Sequence, residues 1–235
     1  MKDSSFSLSV AEPDLTAMRA RVEPIGAGRV LDAVSRHLVA LAVLTALRAS
    51  DEIASRTAAA LDDGASPVAI REALYQCAPY AGFPAVQSAL CRADAVFAAR
   101  GVALPLPTQT TVTDETRFAD GLAVQKSLFG DAIDAMHAAS PEDQKTLVVE
   151  HLTAFCFGDV YTRRGLDLKM RELLTFSVIS ALGGCEPQLK SHVQGNVAAG
   201  NGRRELLEAL EVCLPLMGFP RTLNALGCVN AVLPN

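Results

Sequence analysis

Glu172, Cys185 and His192 fall within one short stretch of the sequence and together could move a proton and make a covalent bond. A cysteine attacks as its thiolate, and histidine is the side chain suited to take or return that proton near neutral pH. A carboxylate completes the set by orienting the imidazole or accepting the proton. Cys185 lies in "GGCEP", where Gly183-Gly184 breaks one helical pattern and Pro187 suits the first turn of the next. The thiol is therefore expected at or just before a helix N-terminus, where unpaired N–H groups and the helix dipole favour thiolate. His192 follows seven residues later on nearly the same face. That is about 10 Å between backbones at about 1.5 Å per residue, so a water or Glu172 is the expected bridge. Each residue also has a plain structural reading: an inert packed thiol, a satisfied surface histidine, a partner for a buried arginine.

The elements that must position these groups read as helices. Apolar residues recur at spacings of three and four, β-branched alternation is scarce, and about ten helices and no sheet are expected. Ser140-Pro141-Glu142-Asp143 reads as a cap, a first-turn proline and first-turn acids. A helix to about Phe157 should follow, burying Leu147, Val148, Leu152 and Phe155. Ser66-Pro67 starts another in the same way, and Gly200-Asn201 ends one helix and caps the next.

These helices come in two sets. "CAPYAGFP" (77–84) returns as "CLPLMGFP" (213–220), 136 positions later. In each, the glycine can close a helix in the left-handed conformation and the proline opens the next. Each phenylalanine is expected to plug the core at that corner. "IREALYQC" (70–77) meets "LLEALEVC" (206–213) at the same offset. "LDAVSRHLVALAVLTAL" (31–47) meets "LDLKMRELLTFSVISAL" (166–182) at an offset of 135. Two units mean duplication rather than a stacked array of three or more. The expected organisation is an N-terminal extension over 1–30 and a degenerate first repeat over 31–100. A Pro/Thr-rich linker over 101–115 leads to the second repeat, with a helical lead-in, over 116–235.

The copies diverge where chemistry is possible. Glu172 faces His37, Cys185 faces Ser50 or a neighbour, and His192 faces Arg56. The first copy keeps the scaffold without any of the three, so packing alone does not require them. Cys77 and Cys213, at matching positions, read as core. His137 and His151 have no metal-ligand companion at helical spacing and read as structural.

Composition narrows the function classes. The chain has 235 residues, half of them apolar, and a net charge of −5. No basic patch suggests a nucleic-acid partner. Six dispersed cysteines make neither a disulfide framework nor zinc pairs. "MKDSSFSLSV" lacks the apolar core of a secretory signal, and no apolar run is seen that reaches the roughly 20 residues of a membrane span. A cytoplasmic, reducing setting without membrane partners is expected. No dinucleotide, P-loop, HExxH or GxSxG motif is present, so neither cofactor nor metal is expected.

The segment "FGDVYTRRGLDLKMRELLTFSVISALGGCEPQLKSHVQGNVAAGN" (157–201), with "GFPRTLNAL" (218–226), resembles the carboxymuconolactone decarboxylase family. The resemblance is strong over 157–235 and weaker over 31–99. It implies the all-α fold shared with alkylhydroperoxidase D, duplicated here in tandem. It also implies assembly through helices, as six single-unit chains or three double-unit chains. The hydroperoxidase type carries a glutamate, a CxxC pair and a histidine. Glu172, Cys185 and His192 match the glutamate, first cysteine and histidine, while Gln188 stands at the second cysteine. An internal CxxC disulfide therefore cannot form.

The leading expectation is a single-cysteine thiol redox enzyme working on a small molecule. Cys185 is the nucleophile, His192 and Glu172 the proton relay, and an external thiol the reductant. The alternative is a decarboxylase acting on a small carboxylated lactone such as 4-carboxymuconolactone. There His192 is the acid/base, and Arg171, Arg163 or Arg164 holds the substrate carboxylate. A third reading is a non-catalytic helical binding scaffold. The expected assembly is a homotrimer, a pseudo-hexamer of repeats.

Overall fold

The computed structural model describes residues 12–23 and 30–234. The sequence expectation for residues 1–10, and much of the N-terminal extension, lies outside them. The described residues form helices and no strand. They are α1 (Pro13–Val22), α2 (Ala33–Ala46), α3 (Ser50–Asp62), α4 (Pro67–Gln76), α5 (Ala78–Ala81) and α6 (Phe83–Ala99). Then come α7 (Arg117–Phe129), α8 (Ala132–Ala139), a 3-10 turn (Glu142–Gln144) and a π-helix (Thr146–Tyr161). α9 (Leu168–Leu182), α10 (Glu186–Ala198) and α11 (Arg203–Val232) complete the chain.

Matching starts give matching elements. Asp32 caps α2 by accepting from the Ser35 N–H, and Asp167 caps α9 by accepting from Met170 N–H. Ser66 caps α4 through the N–H of Ala69. At the two corners Gly82 (φ 81°) and Gly218 (φ 77°) take backbone angles that L side chains avoid, and a proline follows two residues later. α11 is thus two helices meeting at Gly218. Only when counted across that kink, as 30 residues, is it long and apolar enough to cross a membrane by length and composition. Its buried residues, Leu206, Ala209, Leu210 and Cys213 among them, belong to the core shared by both repeats.

Four local expectations are corrected. Phe83 and Phe219 do not plug the core: they are 57% and 63% exposed, and Phe83 stacks against Phe155 at 5.4 Å. Ser140 caps nothing: its hydroxyl donates to the Met136 carbonyl, and Pro141 precedes the 3-10 turn. The following helix bonds i→i+5, so its faces drift from the 3.6-residue spacing assumed. Leu147 is 70% exposed, Val148, Leu152 and Phe155 are half-buried, and the buried side is formed by Thr153, Cys156, Phe157, Val160 and Tyr161. Finally, Gly202 rather than Asn201 stands before α11. Asn201 is buried and donates to the Lys169 carbonyl and to Asn196 Oδ1.

The repeats interlock. One hydrophobic cluster contains Leu38, Leu41, Ile70 and Leu74 of the first copy with Leu173, Leu174, Leu206 and Leu210 of the second. Buried ion pairs are exchanged reciprocally. Arg171 on α9 reaches Glu72 on α4 at 3.2 Å, and Arg36 on α2 reaches Glu208 on α11 at 2.8 Å. Arg36 and Arg171 are repeat equivalents, as are Glu72 and Glu208. The linker is fastened as well: Arg71 donates to the carbonyls of Leu106 and Pro107.

Candidate active site

α9 is buried on every side from Arg171 to Ala181, so Glu172 has no access to solvent. A carboxylate there requires donors. His192 on α10 supplies one, with Nδ1 3.0 Å from Glu172 Oε2. Tyr161, at the end of the π-helix, donates to Glu172 Oε1 at 2.6 Å. Asn196, one turn beyond His192, donates to the backbone carbonyls of Glu172 and His192 and ties α10 to α9. Gly195 leaves the necessary space: a Cβ there would lie 2.5 Å from Glu172 Oε2.

Behind Tyr161 the hydrogen bonds continue. Its hydroxyl is 2.7 Å from Thr175 Oγ1, which accepts from Gln76 Nε2 at 3.1 Å. Gln76 Oε1 accepts in turn from Arg171 Nη1 at 2.9 Å. Tyr80 Oη lies 3.2 Å from Tyr161 Oη and 3.5 Å from Cys156 Sγ. Burial pushes both phenols well up, as does the nearby Glu172 charge, so they remain protonated donors. The His192 ring is held edge-on between Phe129 (5.4 Å) and Tyr80 (5.9 Å).

His192 opens onto a cavity of about 640 Å³. Its wall is mainly apolar, with Leu128, Phe129, Ile133, Leu152, Phe157 and Ile179. Gln125, Cys156, Cys185, Gln188, Ser191 and Gln194 add polar groups and two thiols. Among the described residues no Lys, Arg, Asp or Glu lines it. Cys185 stands directly before α10, half-buried, with Sγ 3.4 Å from the Gly183 carbonyl. The structure therefore brings Cys185 and His192 to one cavity and sets Glu172 behind the histidine.

It does not bring the three arginines there. Arg171 is fully buried and spends its Nη1 and Nη2 donors on Gln76, Glu72 and the carbonyls of Arg163 and Arg164. Arg163 forms a two-pronged pair with Glu72 at 2.8 and 2.9 Å and stacks on Tyr75. Arg164 is exposed, outside the cavity wall. The first two join the repeats instead of facing a ligand. Among the described residues no group of His, Cys, Asp and Glu is placed to hold a metal ion.

The sequence reading passed over Tyr161, Thr175, Gln76 and Tyr80. Two of them carried a signal. Gln76 stands where the second copy has Val212, and Tyr80 where it has Leu216. Both are polar groups of the first copy that the second copy's own scaffold does without. The first repeat is degenerate at its own site: His37 bonds Asp63 at 2.8 Å, and Arg56 is tied to Glu23. It nevertheless builds part of its partner's.

The helical, duplicated fold agrees with what sequence comparison finds. The family model "Carboxymuconolactone decarboxylase family" matches residues 13–95 and 147–231. The chain belongs to that family, twice over. Two relatives each align with less than half of it. A 4-carboxymuconolactone decarboxylase of Acinetobacter baylyi is 36% identical over 109 residues, 46% of this chain and 81% of that protein. An uncharacterized 15.0 kDa protein of Paracoccus denitrificans, from the nqo9-nqo10 intergenic region, is 30% identical over 105 residues, 44% of this chain and 78% of that protein.

Proposed function

We propose that this protein is a single-cysteine thiol oxidoreductase that reduces a hydroperoxide. The observation that carries the reading is the placement of Cys185 and His192 on one cavity, with the imidazole Nδ1 engaged by a buried carboxylate. His192 Nε2 takes the Cys185 proton. The thiolate attacks the outer peroxide oxygen, the S–O bond forms and the O–O bond breaks. His192 returns the proton to the departing alkoxide, leaving a sulfenic acid and an alcohol. An external thiol condenses with the sulfenic acid, releasing water. A second one reduces the mixed disulfide and restores the Cys185 thiol. A mainly apolar wall, with no Lys or Arg among its described residues, suits an uncharged organic peroxide.

The test treats purified protein with cumene hydroperoxide and traps sulfenate with a dimedone probe. Label on Cys185, lost in Cys185→Ser and slowed about 100-fold or more in His192→Gln, supports the reading. Peroxide consumption that survives Cys185→Ser would sink it. A second reading has its own support, the relative named 4-carboxymuconolactone decarboxylase. In it His192 is the acid/base of a carboxy-lyase and Cys185 a bystander. It ranks second because, among the described residues, no Lys or Arg lines the cavity to hold a substrate carboxylate. Release of CO₂ from 4-carboxymuconolactone, undiminished by Cys185→Ser, would reverse the order.

A further inference from the structure

We infer that Tyr161 is a positioning residue, held by Thr175 and the first repeat's Gln76, which fixes the proton on His192 through Glu172. The inference rests on the reading of His192 as the proton-transfer group but requires no particular substrate.

The direction of every hydrogen bond in the chain is determined. Arg171 can only donate, so Gln76 must present Oε1 to it. The Gln76 amide nitrogen therefore faces Thr175 and donates. Because the single Tyr161 proton goes to Glu172 Oε1, Tyr161 can only accept from Thr175, whose hydroxyl donates. Glu172 has only acceptor oxygens to offer as a carboxylate, so the atom facing Oε2 must be an N–H, and neutral His192 carries its proton on Nδ1. Nε2 is then the free acceptor. Five residues thus run one way, from a buried guanidinium to the imidazole's carboxylate. Glu72 and Gln76, which anchor the far end, belong to the repeat that lacks a site of its own.

Losing the Tyr161 hydroxyl leaves the buried anion one donor short. The pair Glu172–His192 then holds one extra proton to higher pH, whichever member carries it. The titratable groups facing the pair are Tyr161 and Cys156 on the π-helix, Tyr80 on α5 and Cys185 before α10. His137 of α8 reaches the cavity through Thr153 and Gln125. The charged groups Glu72, Arg163 and Arg171 lie beyond Gln76.

The experiment is a ¹⁵N NMR titration of the imidazoles in the full chain, with His192 identified by the signals lost in His192→Gln. Wild-type protein should show neutral His192 protonated on Nδ1. Tyr161→Phe, which removes one oxygen, should raise the pair's midpoint by about one to two pH units, the worth of a hydrogen bond to a charged group. Thr175→Val should raise it by less, and it decides the matter if Tyr161→Phe does not fold. An Nε2-protonated wild type, or a folded variant with an unmoved midpoint, would overturn the inference. Because no turnover is read, an absence of peroxide reduction would count against the proposed function and leave this result standing.

Discussion

Gly195 is where a single atom decides whether the site exists. A Cβ at that position meets Glu172 Oε2 at 2.5 Å and Phe129 Cε1 at 3.1 Å. The carboxylate cannot retreat without leaving His192 or Tyr161. Gly195→Ala should therefore destabilise the fold by about 1–3 kcal/mol and lower activity more than stability predicts. Gly227→Ala is the control, because no atom of the described residues lies within 4 Å of its Cβ and a helical alanine is worth up to about 1 kcal/mol. Urea unfolding of both variants makes the comparison; equal effects would refute it. At this scale the sequence was readable by comparing the copies with each other. Glu172, Cys185 and His192 lack counterparts and meet at or behind one cavity wall. Arg171, read from the sequence as a carboxylate holder, has a counterpart in Arg36, and the likeness is one of scaffold: each pairs with a glutamate of the other repeat. Tyr161 could not be found this way. It lies in the lead-in, outside the repeat register read from the sequence.

Helix boundaries were legible at Ser66 and at the positive-φ corner glycines, which act locally, but not at Ser140 or Asn201, whose side chains bond elsewhere. Helix type was not legible. Nothing in "TLVVEHLTAFCFGDVY" distinguishes i→i+5 from i→i+4 bonding, and the apolar pattern fits more than one face. Nor could the corner phenylalanines be placed, since what covers a side chain depends on elements distant in sequence. The joints between elements offer a sharper test. Glu72 is fully buried between Arg163 on the lead-in and Arg171 on α9. Glu72→Ala strands Arg171 as a buried charge, and should cost about 3–5 kcal/mol. The double variant Glu72→Ala/Arg171→Met should recover much of that loss in urea unfolding. Equal stability of the single and double variants would show that the pair does not join α4 to α9.

Across the whole molecule, buried thiols set the response to alkali. Burial pushes Cys156 and Cys213 up to about 12 and raises Cys77 as well, against roughly 8.5 in an unfolded chain. Each thiol holds its proton more tightly folded than unfolded. Its stabilising contribution is thus complete below about pH 8.5 and is lost as pH rises toward 12, on the order of 1 kcal/mol per thiol per pH unit. Unfolding at pH 8 and pH 10 should show that loss, and Cys213→Ala should lessen it; an unchanged loss in the variant would contradict the assignment. Assembly is the remaining question at this scale. Both corners expose a phenylalanine, Phe83 and Phe219, and Leu223 and Leu147 are exposed too. Large apolar side chains left at equivalent places in two repeats suit a symmetric contact that each repeat makes with a neighbouring chain. We propose a homotrimer in which six repeats form a pseudo-hexameric ring. Light scattering in dilute neutral buffer should give a mass near three times 24.8 kDa. Phe219→Glu, on an exposed corner away from the cavity wall, should lower that mass while leaving the fold intact by circular dichroism. A wild-type particle of 24.8 kDa would refute the trimer.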